Sequence, residues 1–171
     1  LEDLIDDADQ AICDPQLRTE YLNKTLNIFT NALAAYFDIE EFRASDQQYD
    51  WTLEQLAKLS IAWYGGADLS KMHDLTAGAL YGTYKDVDIC ITHAFFPRAA
   101  AVRKSDEDNI PLFGWEEDGW LTMSNTATVL HDDIVKWFIL MKQKGFRIKL
   151  VGFDKKFGRE FFLKMKKAGF H

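Results

Sequence analysis

Two aspartates stand where strands are expected to end. Asp68 follows Ile61-Ala-Trp-Tyr-Gly-Gly-Ala67, and Asp154 follows Lys149-Leu-Val-Gly-Phe153. If both strands are central and parallel, the two carboxylates emerge at one sheet edge, where open α/β sheets bind their ligands. Two carboxylates without neighbouring His or Cys ligands favour a hard cation, Mg²⁺ or Mn²⁺, over zinc. A pair of such ions activates a water and holds the leaving oxygen of a phosphodiester. Gly65, Gly66 and Gly152 add no side-chain bulk, so the backbone beside each carboxylate is open to close approach. By spacing alone, ordinary capping aspartates after strands are the commoner reading of the same two residues.

Other chemistry has less support. His73 and His93 sit in neither H-x-x-x-H nor H-E-x-x-H spacing. His93, inside a strand, fits a half-buried structural residue, and turn chemistry accounts for His73 beside Asp74. There is no G-x-S-x-G and no G-x-x-x-x-G-K-[ST], so neither a nucleophile elbow nor an ATPase P-loop is present. Cys13 and Cys90 make neither a four-thiolate zinc site nor a C-x-x-C pair, and are expected as reduced thiols of an intracellular protein. Phe157, Phe161 and Phe162 recur at helical spacing, which is a packing stripe.

Charge is unevenly spread. The net charge of −7 by itself argues against a nucleic-acid partner. Residues 136–171 nevertheless hold eleven Lys and Arg against two Asp and Glu, while residues 1–135 hold nine against twenty-five. A basic end on an acidic body meets phosphate locally, or is simply the solvated face of a helix. The apolar share of 47% and charged share of 27% exclude a disordered chain. No apolar run nears the roughly 18 residues of a membrane span. The chain starts at Leu1 on an acidic stretch without a signal pattern, so a soluble piece of a longer protein is expected.

The elements that would position the aspartates follow from periodicity. Residues 1–12 have helical spacing, Asp14-Pro15 is a break, and Thr25 to Phe29 is β-prone. Short helices are predicted from Asp38 to Ala44 and over 51–59, the second capped by Thr52. Strands are predicted at about 60–68, 75–84 and 87–96, with Lys85-Asp86 as a hairpin turn, forming an antiparallel meander. Val87, Ile89, Ile91 and His93 share one face of the third strand. A helix opens at Pro97 and runs to Lys104, followed by an acidic loop from Ser105 to Asn109. A short helix from Pro111 to Gly119 and a strand from Leu121 to Met123 come next. A long helix capped by Asp132 or Asp133 ends at Gly145. Then come a strand from Ile148 to Phe153 and an amphipathic helix from Lys156 to Ala168, ended by Gly169. The fold class is α/β: a mixed sheet, the meander plus parallel strands, flanked by helices and preceded by a helical arm.

At Gly65-Gly-Ala-Asp-Leu-Ser70 and His73-Asp-Leu-Thr-Ala77 the chain resembles the large terminase subunit of tailed bacteriophages. Leu26-Asn-Ile-Phe29 with Ala35-Tyr-Phe-Asp38 is similar to that family's Leu-Asn-x-Trp segment. His93-Ala-Phe-Phe-Pro97, Trp115 to Thr122, and Val151-Gly-Phe-Asp154 with Ala168-Gly-Phe170 follow in the family's order. The likeness covers about 17–171. It implies a ribonuclease-H-like nuclease domain over 60–171, incomplete at its C-terminus, behind a connecting arm over 1–59 from a missing ATPase domain. It implies two-metal cleavage of concatemeric viral DNA during packaging, with Asp68 and Asp154 as metal ligands and Mg²⁺ or Mn²⁺ as cofactor. The family's third acidic ligand would lie on a helix beyond His171. Asp74 matches a recurrent aspartate of the family. Lys155, Lys156 and Arg159 are candidates for phosphate contact. The implied partners are double-stranded viral DNA, the small terminase subunit and the portal protein, in the cytoplasm of a bacterial host, with no membrane. Other readings are a non-catalytic DNA-binding or docking piece of the packaging machine, and a resolvase- or transposase-type nuclease.

Overall fold

The structure is a computed structural model that describes Tyr21 and residues 39–70, 75–108, 110–155 and 158–171. The features predicted over 1–12, at Asp14-Pro15 and over 25–29, and the residues Cys13, Asp38, His73, Asp74, Lys156 and Phe157, lie outside the described residues. The chain divides into two compact units, Leu1–Trp51 and Thr52–His171. In the first, α1 (Ile39–Gln47) is followed by Tyr49 and Trp51, whose rings lie 5.1 Å apart.

The second unit begins with α2 (Leu53–Ala57). Thr52 and Gln55 close a capping box, Gln55 donating its N–H to Thr52 Oγ1 and accepting the Thr52 N–H. Three strands follow as the predicted meander: β1 (Trp63–Asp68), β2 (Thr76–Tyr84) and β3 (Val87–Pro97). Lys85 and Asp86 both take positive φ, 48° and 64°, as a two-residue hairpin turn between right-twisted strands requires. Next come α3 (Arg98–Asp108), α4 (Leu112–Glu117), β4 (Leu121–Ser124), α5 (His131–Lys144), β5 (Ile148–Phe153) and α6 (Gly158–Lys167).

The five strands form one mixed sheet in the order β4-β3-β2-β1-β5. β2 runs antiparallel to β1 and β3, while β5 pairs parallel to β1 and β4 parallel to β3. The C-terminal ends of β1, β3, β4 and β5 therefore share one edge. One sheet face packs on α5 and α6 through Trp63, Leu80, Phe95, Ile134, Phe138, Met141, Phe161 and Met165. Burying side chains of this size stabilises by roughly 1.5–3 kcal/mol each. A smaller cluster, Phe96, Ala101, Leu112, Leu121 and Met123, joins the other face to α3 and α4 near β4. Among the described residues no helix is long and apolar enough to cross a membrane.

Three local expectations need correction. Pro97 does not open a helix; it closes β3 opposite Ser124, and α3 starts at Arg98. A strand end tolerates the missing N–H and fixed φ of proline. Most of the expected acidic loop after Ser105 is helical, as α3 continues to Asp108 with Arg103 and Glu107 paired at 3.8 Å one turn apart. Neither Asp132 nor Asp133 is the N-cap of α5. Leu130 holds that position, and both aspartates sit in the first turn, where they complement the helix dipole. Asp133 accepts a hydrogen bond from Ser124 at 2.7 Å, and the Leu130 N–H reaches the same hydroxyl.

Gly65 is spaced for packing. A Cβ there would meet Phe138 Cε1 and Val151 Cγ2, both at 2.8 Å, so α5 lies against β1 at this point. Gly65→Ala is expected to cost about 1–3 kcal/mol of stability through overpacking. Urea unfolding of the two proteins checks this; an unchanged midpoint would contradict the close approach of Phe138.

Candidate metal centre

β1 and β5 run side by side in register from Tyr64↔Leu150 to Ala67↔Phe153. The next residue on one strand is Asp68, and just beyond the other comes Asp154. Adjacent strands lie about 4.8 Å apart, so the two aspartates are neighbours at the shared edge. Both are exposed. The residues around Asp68 in the sheet are small. Gly66 pairs with Gly152, and Ala77 lies opposite Asp68 on β2. A Cβ at Gly66 would meet nothing within 4 Å, and one at Gly152 only the Gly65 carbonyl. Of the three glycines expected to open the backbone, Gly66 and Gly152 are thus clear, whereas Gly65 is packed.

The backbone carrying each aspartate is pinned. Ala67 and Leu69, on either side of Asp68, are buried. Ser70 donates its N–H to Thr76 Oγ1 at 3.1 Å, and the two hydroxyls lie 3.0 Å apart. Before Asp154, Val151 is buried and donates its N–H to the His171 carbonyl. Phe153 packs edge-on to Phe161 with ring centroids 5.2 Å apart. Gly158 lies tight against the Phe153 ring, where a Cβ would overlap Phe153 Cε2. Sequence reasoning missed Thr76; a hydroxyl at an inward position of β2 was the available signal.

A pair of carboxylates completed by water suits Mg²⁺ or Mn²⁺, which are often held by one or two carboxylates plus substrate phosphate. Among the described residues no group of three or more His, Cys, Asp and Glu gathers in a metal-binding arrangement. Lys155 and Arg159 are exposed just after Asp154. Other cations of the basic end serve the fold. Lys164 is bonded to Asp132 and lies 2.9 Å from Glu160. Its hydrogen bonds hold both carboxyls below their ordinary range and raise its own pKa. Lys144 lies 3.7 Å from Glu54, and Lys142 sits over the Phe170 ring.

His93 is half-buried on the α5 side of β3. Its Nε2 is 2.8 Å from Thr122 Oγ1, and its ring stacks near Trp137 and edge-on to Phe95. This is the structural role expected of it. The exposed Cys90 thiol is pushed up by desolvation, away from thiolate reactivity.

No protein-family profile matches the sequence, and no curated protein matches it. Among solved structures the chain is similar to the crystal structure of the HK97 bacteriophage large terminase. The TM-score is 0.63 at 20% identity, over 99% of this chain and 34% of that one. The chain thus spans about a third of that protein's length. The likeness supports the fold seen here, a mixed five-stranded sheet of parallel and antiparallel pairs flanked by helices, which is consistent with the expected ribonuclease-H-like class.

Burial lowers the pKa of His93 from 6.5. The unfolded chain therefore binds the proton more readily. The stability linked to neutral His93 is complete above pH 6.5 and is lost as pH falls from there through the folded-state pKa. Urea midpoints from about pH 8 to about pH 5 should fall more steeply in the native protein than in His93→Gln. Parallel profiles would contradict it.

Proposed function

We propose that this chain is the metal-dependent endonuclease part of a large terminase of the phage or prophage type, cutting double-stranded viral DNA during genome packaging. The observation that carries the reading is the in-register pairing of β1 with β5, which sets Asp68 and Asp154 at neighbouring strand ends on a floor of small residues. The fold shared with the HK97 large terminase supports it.

In this reading the two carboxylates hold Mg²⁺ or Mn²⁺, which supplies an activated water and charge stabilisation for phosphodiester hydrolysis. The strand pairing fixes the separation of the carboxylates. The small residues at 66, 77 and 152 leave room for a phosphate and its sugar to approach the edge. Lys155 and Arg159, with Lys156, meet phosphate oxygens and hold the duplex without reading its sequence. A third acidic ligand comes from a segment outside this chain. Residues 60–171 serve as the nuclease domain, with 1–59 as the arm from an ATPase motor. The small terminase subunit and the portal protein are its partners in the host cytoplasm.

A second reading, a DNA-binding or docking part without catalysis, is favoured by one observation. The described residues offer two acidic side chains at the edge, and no third gathers with them.

Nicking of supercoiled plasmid in Mn²⁺, against a chelator control, separates the two. The polypeptide that carries this chain, at its full natural length, is expected to nick. Asp68→Ala and Asp154→Ala should each lower the rate by at least about a hundredfold, since even the outer partners of metal ligands are worth 10–100-fold. Salt-sensitive binding with no cleavage would favour the second reading, and full activity in Asp68→Ala would end the first. Neutralising Lys155 and Arg159 together should reduce the slope of log affinity against log salt by about 2 if each meets one phosphate.

A further inference from the structure

We infer that Thr76 is a positioning residue for Asp68, acting through Ser70, so that the metal affinity of the edge depends on a hydroxyl that cannot itself touch a metal there. The inference rests on the metal-site reading above and assigns a role to a residue that reading does not use.

Thr76 opens β2 opposite Phe95 and is fully buried on the side facing α5. Valine has nearly the same shape and suits a buried strand position at least as well. A buried hydroxyl needs partners. Those of Thr76 are the Ser70 N–H at 3.1 Å and the Ser70 hydroxyl at 3.0 Å. The hydroxyl thus bridges the start of β2 to the chain leaving β1.

The bridge matters because Asp68 is the last residue of β1. It pairs with Ala77, but the strand ladder holds nothing beyond it. Leu69 turns into the core at 5% exposure, and Ser70 is tied one residue later. These two anchors set the dihedral angles that aim the Asp68 side chain. A ligand set must be held to within about 0.5 Å and 10–20° to keep its affinity.

The test is Mn²⁺ binding by the polypeptide that carries this chain, at its full natural length, read by titration calorimetry, with metal-free thermal unfolding measured alongside. Asp68→Asn sets the baseline for the lost site. Thr76→Val should weaken Mn²⁺ binding by about tenfold, in the range seen for outer-shell partners, and Thr76→Ser should restore it. Thr76→Ala, which removes the same hydroxyl with less side chain to place in the core, should weaken binding as well. It carries the test if Thr76→Val does not fold. Wild-type affinity in Thr76→Val or Thr76→Ala, with the site lost in Asp68→Asn, would overturn this inference and leave the metal site standing. Equal binding by the wild type and Asp68→Asn would overturn both.

Discussion

The parallel pairing of β1 with β5 is the constraint on which the rest depends. It joins two parts of the chain separated by β2, β3, α3, α4, β4 and α5. Its register decides which residues meet. Between Trp63 and Tyr64 the pairing shifts, and from Tyr64 to Ala67 it runs evenly against Leu150 to Phe153. A slip by one residue would send every side chain of a strand to the opposite face. Phe138 and Val151 crowd Gly65 and so lock β5, β1 and α5 together at the middle of this stretch. The two aspartates then follow at its end.

Much of the sheet was legible because its signals are local. Alternation from Val87 to His93 puts Ile89 inward and Asp88, Cys90 and Thr92 outward, as the structure has it. Gly145 ends α5 with φ of 112°, a left-handed cap that the sequence announces by glycine after a lysine-rich turn. Thr52 with Gln55 makes the capping box from residues three apart. What escaped was set by partners distant in sequence. Asp133 looks like a helix cap until Ser124 of β4 is beside it, and Pro97 looks like a helix start until β4 pairs with the end of β3. The same holds for the candidate site. The two aspartates and their glycines were visible as types. That Gly65 is filled by packing while Gly66 and Gly152 are clear, and that Thr76 holds Ser70, required the fold.

Charge is used differently along the basic end. Lys136 pairs with Asp133 and Lys164 with Glu160 within their own helices, while Lys144 with Glu54 and Lys164 with Asp132 tie helices together at the surface. Exposed ion pairs of this kind contribute little each, about 0–1 kcal/mol. The net +9 of residues 136–171 therefore overstates what is offered to phosphate. Lys155 and Arg159 differ in place, because they follow Asp154 at the edge where β1, β3, β4 and β5 all end.

The most direct measurement of the central claim is the pattern of amide signals that Mn²⁺ broadens in the nuclear magnetic resonance spectrum of the chain. A shared site between β1 and β5 should quench residues around 66–69 and around 152–155 together at low metal, and leave the Asp132–Glu160 surface intact. Broadening confined to one of the two strands, or centred on that acidic surface, would contradict it.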